Sequence, residues 1–129
     1  MIFDTSFVID VMAGETKAVE KLKEVIKNGE PEIVTAPTIF ELFSGLAQSS
    51  KPELERKKIL SALSRMTVWH FEAEAAERGG EVDGLLIKSG NQIDPIDSMI
   101  AGIAFSKGEK ILTRDKHFSK VAGLKTESW

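Results

Sequence analysis

The sequence predicts an α/β domain built on a mainly parallel sheet, and three observations point there. Short apolar runs at residues 1–3, 32–35 and 110–113 read as buried strands. Longer segments between them carry apolar residues at helical spacing. Turn and cap residues separate the two kinds of segment. No repeat, low-complexity tract or linker interrupts the 129 residues, so residues 1–129 are expected to form a single domain.

Each element has a local reason. Residues 1–3 form a strand that ends at Asp4-Thr5-Ser6, and a helix is expected through Phe7–Met12. Over residues 15–28, Ala18, Val19, Leu22, Val25 and Ile26 make one helical stripe, and Asn28-Gly29 stops it. Residues 32–35 are β-branched and apolar. Pro37 opens the next helix, where its missing N–H costs nothing, with Ile39, Leu42, Phe43 and Leu46 on one face. A charged stretch over 50–58 leads into Ile59, Leu60, Leu63 and Met66, another helix with Pro52 in its first turn. Residues 67–71 suit a strand. Residues 72–88 have helical spacing, weakened at Gly79-Gly80 by about 1 kcal/mol per glycine. Gly90 caps that helix, and Asp94-Pro95 starts another that runs to about Ser106. A strand at 110–113, a helical turn at 116–121 and a strand at 124–126 complete the series.

Composition narrows the chemistry. The chain has no cysteine, which excludes disulfide scaffolds, thiol nucleophiles, thiolate zinc sites and iron–sulfur clusters. A net charge of −3 excludes a simple polycationic nucleic-acid coat. The opening residues carry two aspartates and no basic region, unlike a signal peptide, and no apolar stretch approaches the roughly 20 residues that span a bilayer. A cytoplasmic location is expected, with no membrane association.

The acids carry most of the functional information. Asp4 follows the first strand and Asp115 follows the strand at 110–113. Asp94 and Asp97 lie at a helix start, and Glu41 lies in the first two turns of the helix after the second strand. In an open parallel sheet, strand C-termini and the following helix N-termini share one edge, where ligand sites form. Asp4, Glu41, Asp97 and Asp115 can meet there although they are far apart in sequence. Taken singly, each has a plainer reading. Asp4, Asp94 and Asp115 are N-cap residues, Asp97 is placed to close a capping box, and Glu41 shares a polar stripe with Thr38, Gly45 and Gln48. Taken together, four carboxylates repel one another unless a hard cation such as Mg²⁺ or Mn²⁺ joins them, and such a site suits phosphodiester hydrolysis.

These stretches resemble the PIN domain family, in particular the VapC-type toxins of toxin–antitoxin pairs. The likeness rests on Asp4-Thr5-Ser6 after a strand, Glu41 within residues 37–42, Asp97 opening residues 97–104, and Thr113-Arg114-Asp115 within residues 111–118. One departure is Ala101-Gly102, where two alanines are more usual. The resemblance implies a PIN-like three-layer α/β/α domain and a metal-dependent endoribonuclease. Asp4, Glu41, Asp97 and Asp115 then match the acidic catalytic and metal positions, and Ser6 and Thr113 match the supporting hydroxyls. It also implies a homodimer and a small antitoxin whose C-terminal segment covers the active-site groove.

RNA binding must work against the net charge. Lys107, Lys110, Arg114, Lys116, Lys120 and Lys125 outnumber Glu109 and Asp115 over residues 107–125, so Arg114 and Lys116 are the expected phosphate contacts. His117 and His70 read as ordinary histidines, because a hard cation prefers oxygen. The basic residues between Lys51 and Arg65 read as solvated surface. Two alternatives compete with the nuclease. A phospho-acceptor signalling domain needs an aspartate ending a central strand, but Ala36-Pro37 follows residues 33–35. A non-catalytic binding module of the same fold predicts no metal binding and no dependence on the four acids.

Overall fold

Five strands lie side by side in the order β3-β2-β1-β4-β5, and every adjacent pair is parallel. The expected mainly parallel sheet is thus parallel throughout. The computed structural model describes residues Met1–Trp129. The strands are β1 (Ile2–Phe3), β2 (Ile33–Thr35), β3 (Thr67–Trp69), β4 (Ile111–Leu112) and β5 (Thr126–Glu127). The helices are α1 (Thr5–Met12), α2 (Thr16–Lys27), α3 (Ala36–Ala47), α4 (Pro52–Leu63), α5 (Ala73–Lys88) and α6 (Pro95–Lys107), and Lys116–Lys120 forms a 3-10 turn.

The strands alternate their side chains between two helical layers. Met1, Phe3 and Leu112 pack with Phe7, Val8, Ala18, Val25, Leu42, Leu46 and Ile59 on one face. Ile2, Ile33 and Ile111 pack with Ala75, Ile100, Ile103, Ala104 and Phe118 on the other. A sheet covered on both faces needs apolar residues at successive strand positions, which is why these runs are continuous rather than alternating. The strand order reverses at β1. The chain first builds outward through β2 and β3, then returns across α5 and α6 to place β4 on the other side of β1. The gap between the ends of β1 and β4 is therefore the topological switch point, where ligand crevices form.

Two local expectations are corrected. Helix α3 begins at Ala36, one residue before Pro37, because the Thr35 hydroxyl accepts from the Thr38 amide at 3.3 Å and caps the helix. Thr38 is wholly buried and bonds Thr35, so it belongs to no solvated stripe with Glu41. Helix α5 runs unbroken through Gly79-Gly80, and packing explains the sequence there. A Cβ on Gly79 would stand 2.8 Å from the Ser98 carbonyl oxygen, and one on Gly102 would overlap the Ala75 carbonyl oxygen and the Gly79 backbone. Helices α5 and α6 thus touch backbone to backbone, which requires glycine at both positions and accounts for Gly102 after Ala101. At the end of α6, Gly108 adopts φ 65°, a left-handed cap that glycine accepts without strain.

Candidate active site

At the switch point the backbone pairing continues one residue beyond the strands. The Asp4 amide donates to the Leu112 carbonyl at 3.1 Å, and the Thr113 amide donates to the Glu127 carbonyl at 2.8 Å. Asp4 and Thr113 are thereby set side by side. The Thr113 hydroxyl donates to Asp4 Oδ2 at 2.7 Å, and the Ser6 hydroxyl donates to the same oxygen at 3.1 Å. The other oxygen, Oδ1, accepts from the Thr5 amide at 2.8 Å, so Asp4 also caps α1. Capping and site membership, set against each other in the sequence, are both true of this residue.

Glu41 enters from α3. The Thr5 hydroxyl donates to Glu41 Oε1 at 2.7 Å and ties α3 to the start of α1. Asp115 caps the 3-10 turn, accepting from the His117 amide at 2.8 Å, while its own amide donates to the Thr113 hydroxyl at 2.9 Å. Thr113 therefore links Asp4 and Asp115 through one oxygen. Asp94 caps α6 by accepting from the Ile96 amide at 2.8 Å. Asp97, in the first turn of α6, forms no capping box. It is 8% exposed, and its carboxylate accepts no hydrogen bond from the protein. It faces the cleft instead.

Asp4, Thr5, Ser6, Ile9, Glu41, Asp94, Asp97, Arg114, Asp115 and His117 line this cleft, whose volume is about 600 Å³. All four sequence-predicted acids meet in it, and Ser6 and Thr113 both support Asp4. Arg114 stands on the wall, but its Nε and Nη2 donate to the Trp129 carbonyl oxygen at 3.0 and 2.8 Å. Lys116 is exposed and does not line the cleft.

Two contributors escaped sequence reasoning. Ligand atoms of Asp97, Asp115 and His117 lie within 4.8 Å of one another, and His117 Nδ1 is 3.1 Å from Asp115 Oδ1. His117 thus joins a site from which its type had excluded it; the available signal was its position two residues after Asp115, on the turn that Asp115 caps. Thr5 holds Glu41, and its signal was its place between two site residues.

The electrostatics follow from crowding. Burial pushes the Asp97 carboxyl up to about 7, with further upward pressure from Asp115, Asp4, Glu41 and Asp94. Burial also raises Glu41 against the hydrogen bond from Thr5, and the charges of Asp4, Asp94 and Asp115 raise it further. Asp4 is raised by burial and by Asp115, opposed by its bonds from Thr113, Thr5 and Ser6. No lysine or arginine forms an ion pair with any of the five cleft acids; Arg114 pairs with Asp10 instead. An oxygen-rich donor set with an unbonded, nearly buried carboxylate and no compensating cation fits a hard divalent ion.

The chain is also similar to known proteins along most of its length. The family model described as PIN domain matches residues 1–124. The chain is 36% identical over 97 residues to the tRNA(fMet)-specific endonuclease VapC of Shigella flexneri, covering 74% of each chain. It is 30% identical over 129 residues to the ribonuclease VapC2 of Haemophilus influenzae, covering 99% of this chain and 96% of that one. Among solved structures, DNA-bound VapBC from Salmonella typhimurium superimposes with a TM-score of 0.89 at 26% identity, covering 99% and 96% of the two chains. With its acids gathered at the switch point of a parallel sheet and these relatives beside it, the chain belongs to the PIN domain family.

Proposed function

We propose that this protein is a divalent-metal-dependent endoribonuclease and the toxin of a type II toxin–antitoxin pair, acting as one domain over residues 1–129. One observation carries the reading: carboxylates from four separate stretches share a cleft in which no lysine or arginine pairs with them. The names of the curated relatives supply the substrate class, RNA. Mg²⁺ or Mn²⁺ is the ion, held by Asp4, Glu41, Asp97 and Asp115. When bound, it supplies Lewis-acid activation of water and charge neutralisation at the scissile phosphate. The chain's own residues do the positioning. Thr113 and Ser6 fix Asp4, Thr5 fixes Glu41, and the 3-10 turn fixes Asp115. Arg114 and Lys116 contact substrate phosphates, Arg114 from the cleft wall and Lys116 from the exposed turn beside it.

The partner is a small antitoxin protein. An apolar groove along Ile9, Met12, Leu42, Leu46 and Ile59 shares Ile9 and Glu41 with the acidic cleft. A segment lying in that groove would cover the acids. Exposed Phe40 and Leu85 favour a homodimer. The proposed location is cytoplasmic; no helix is long and apolar enough to cross a membrane.

Titration calorimetry with Mn²⁺, paired with cleavage of labelled RNA, tests the reading. The wild-type protein is expected to bind Mn²⁺ and cut RNA only with metal present. Asp4→Asn and Asp97→Asn should each lower the cleavage rate by about 1,000-fold or more while leaving the circular dichroism spectrum unchanged. A purified Asp97→Asn protein with full metal-dependent cleavage overturns the assignment. A binding module would show no Mn²⁺ heat and no effect of either substitution.

A further inference from the structure

Arg114 is the permanent cation on the wall of the acidic cleft, and it does not reach for the acids. Its guanidinium lies over the Trp129 indole, with Cζ 4.5 Å from the ring centroid. Its Nε and Nη2 donate to the Trp129 carbonyl oxygen, and Nη1 is 3.5 Å from Asp10 Oδ2. Trp129 is anchored in turn: its ring meets Phe7 edge-on with centroids 5.0 Å apart, and its Nε1 donates to Asp10 Oδ2 at 3.3 Å. Residues from α1, the end of β4 and the segment after β5 close into one clamp around a single guanidinium.

We propose that Trp129 is a positioning residue that holds Arg114 at the rim of the cleft, off the carboxylates, where it receives an RNA phosphate. The proposal rests on the ribonuclease reading above. The physical need is plain. A guanidinium on a flexible stem beside five carboxylates would fold onto them, and its charge would be lost to the substrate. Stacking on an indole, a two-donor bond to a backbone oxygen and an adjacent Asp10 hold it elsewhere. Of the five N–H donors of an arginine, the Trp129 oxygen takes two, while Nη1 only stands in ion-pair range of Asp10, which leaves three for phosphate oxygens. Sequence alone offers no sign of the clamp, because Trp129 and Asp10 are far from Arg114 along the chain.

The test is steady-state cleavage of RNA, together with RNA affinity against salt concentration in an Asp97→Asn background that leaves the RNA uncut. Trp129→Leu keeps an apolar contact for Phe7 but removes the aromatic face and the bond to Asp10. It is expected to raise KM about ten-fold with kcat within about two-fold. It should also reduce the slope of log affinity against log salt by ~0.7, the loss of one phosphate contact on single-stranded RNA. Arg114→Gln should do the same, and the double variant should be no worse than Arg114→Gln alone, since both remove one interaction. Trp129→Phe, which restores an aromatic face, should return KM close to wild type. Arg114→Lys provides a check that leaves Trp129 in place. It keeps the charge but cannot form the flat, forked contact, and should resemble Arg114→Gln in KM.

The clamp is overturned if Trp129→Leu leaves KM and salt slope at wild-type values while Arg114→Gln moves them. Effects of the two substitutions that simply add, or an Arg114→Lys protein that matches wild type, overturn it as well. Wild-type protein that neither binds nor cuts RNA sinks the ribonuclease reading itself, which separates the two failures.

Discussion

The two ends of the sheet hold similar numbers of charges and treat them in opposite ways. Around Lys110, just before β4, and Glu127 on the edge strand β5, every acid has a cation. Glu127 meets Lys21 and Lys110, each at 2.8 Å; Lys110 also approaches Glu30 at 3.7 Å, and the Met1 ammonium approaches Glu109 at 3.4 Å. The Glu127 carboxyl is held below its usual range by its bonds from Lys110 and Lys21, and both lysines are held above theirs by Glu127. Beyond the ends of β1 and β4, acids face acids, and Asp97, Glu41 and Asp4 are all raised. Folding could have neutralised both ends. That it neutralises only one is in keeping with the proposed divalent-metal site at the other, because unpaired buried carboxylates cost stability without a cation.

The largest expected effect breaks the acidic end without touching an acid. Gly102→Ala places a methyl group against the Ala75 carbonyl and must push α6 away from α5, and α6 carries Asp97. A loss of about 2–3 kcal/mol in urea unfolding is expected, together with reduced Mn²⁺ affinity. Unchanged stability and metal binding would mean that α6 shifts without disturbing the cleft. The same substitution should leave the Lys21–Glu127 pairing intact, since that lies on α2 and β5.

Next in size is the pH dependence of the metal-free protein, which should carry opposite signs from the two ends. A folded-state pKa of about 7 for Asp97 lies above its unfolded value of 3.8, so the folded state holds the proton longer. Stability should therefore fall as pH rises from about 4 to about 7, then level off. Asp97→Asn should flatten that decline and raise the metal-free Tm at pH 7.5 by about 3–6 °C. Glu127 contributes in the other sense. Its folded pKa is lowered, so its stabilisation is present above the unfolded value of 4.5 and is lost as pH falls through the folded one. Thermal melts from pH 3 to pH 8, for each variant, separate the two; an Asp97→Asn profile parallel to wild type would remove Asp97 as the source of the decline.

The smallest effect sharpens the paired end. Glu127→Gln should cost about 0.5–1 kcal/mol at low salt and almost nothing at 1 M, because its partners are partly exposed and screened. Mn²⁺ affinity should not change, since Glu127 does not line the cleft.

Much of this was legible along the chain, for reasons particular residues make clear. Asp4, Asp94 and Asp115 are local caps, so their places at helix and turn starts followed from nearest-neighbour chemistry. The apolar runs at β1, β2 and β4 followed from burial on both faces. Other features were hidden because they are made through space. Gly79 looks like a helix breaker until Ser98 is seen against it. His117 looks bland until Asp97 arrives from another helix. Arg114 looks like a free cation until Trp129 closes over it.

The sequence by itself determined the parallel α/β architecture and the places of the four acids at strand ends and helix starts, because strand runs, helix periods and caps are set by a residue and its near neighbours; Ser6 and Thr113 as supporting hydroxyls were implied only by the resemblance to the PIN domain family. Only the tertiary structure decided that Thr113 bridges Asp4 to Asp115, that His117 joins them, and that Arg114 is turned toward Trp129 and Asp10. Those relations depend on where the ends of β1, β4, α3 and α6 come to rest against one another. That placement is fixed by the packing of two helical layers on one sheet and leaves no trace in the spacing of residues along the chain.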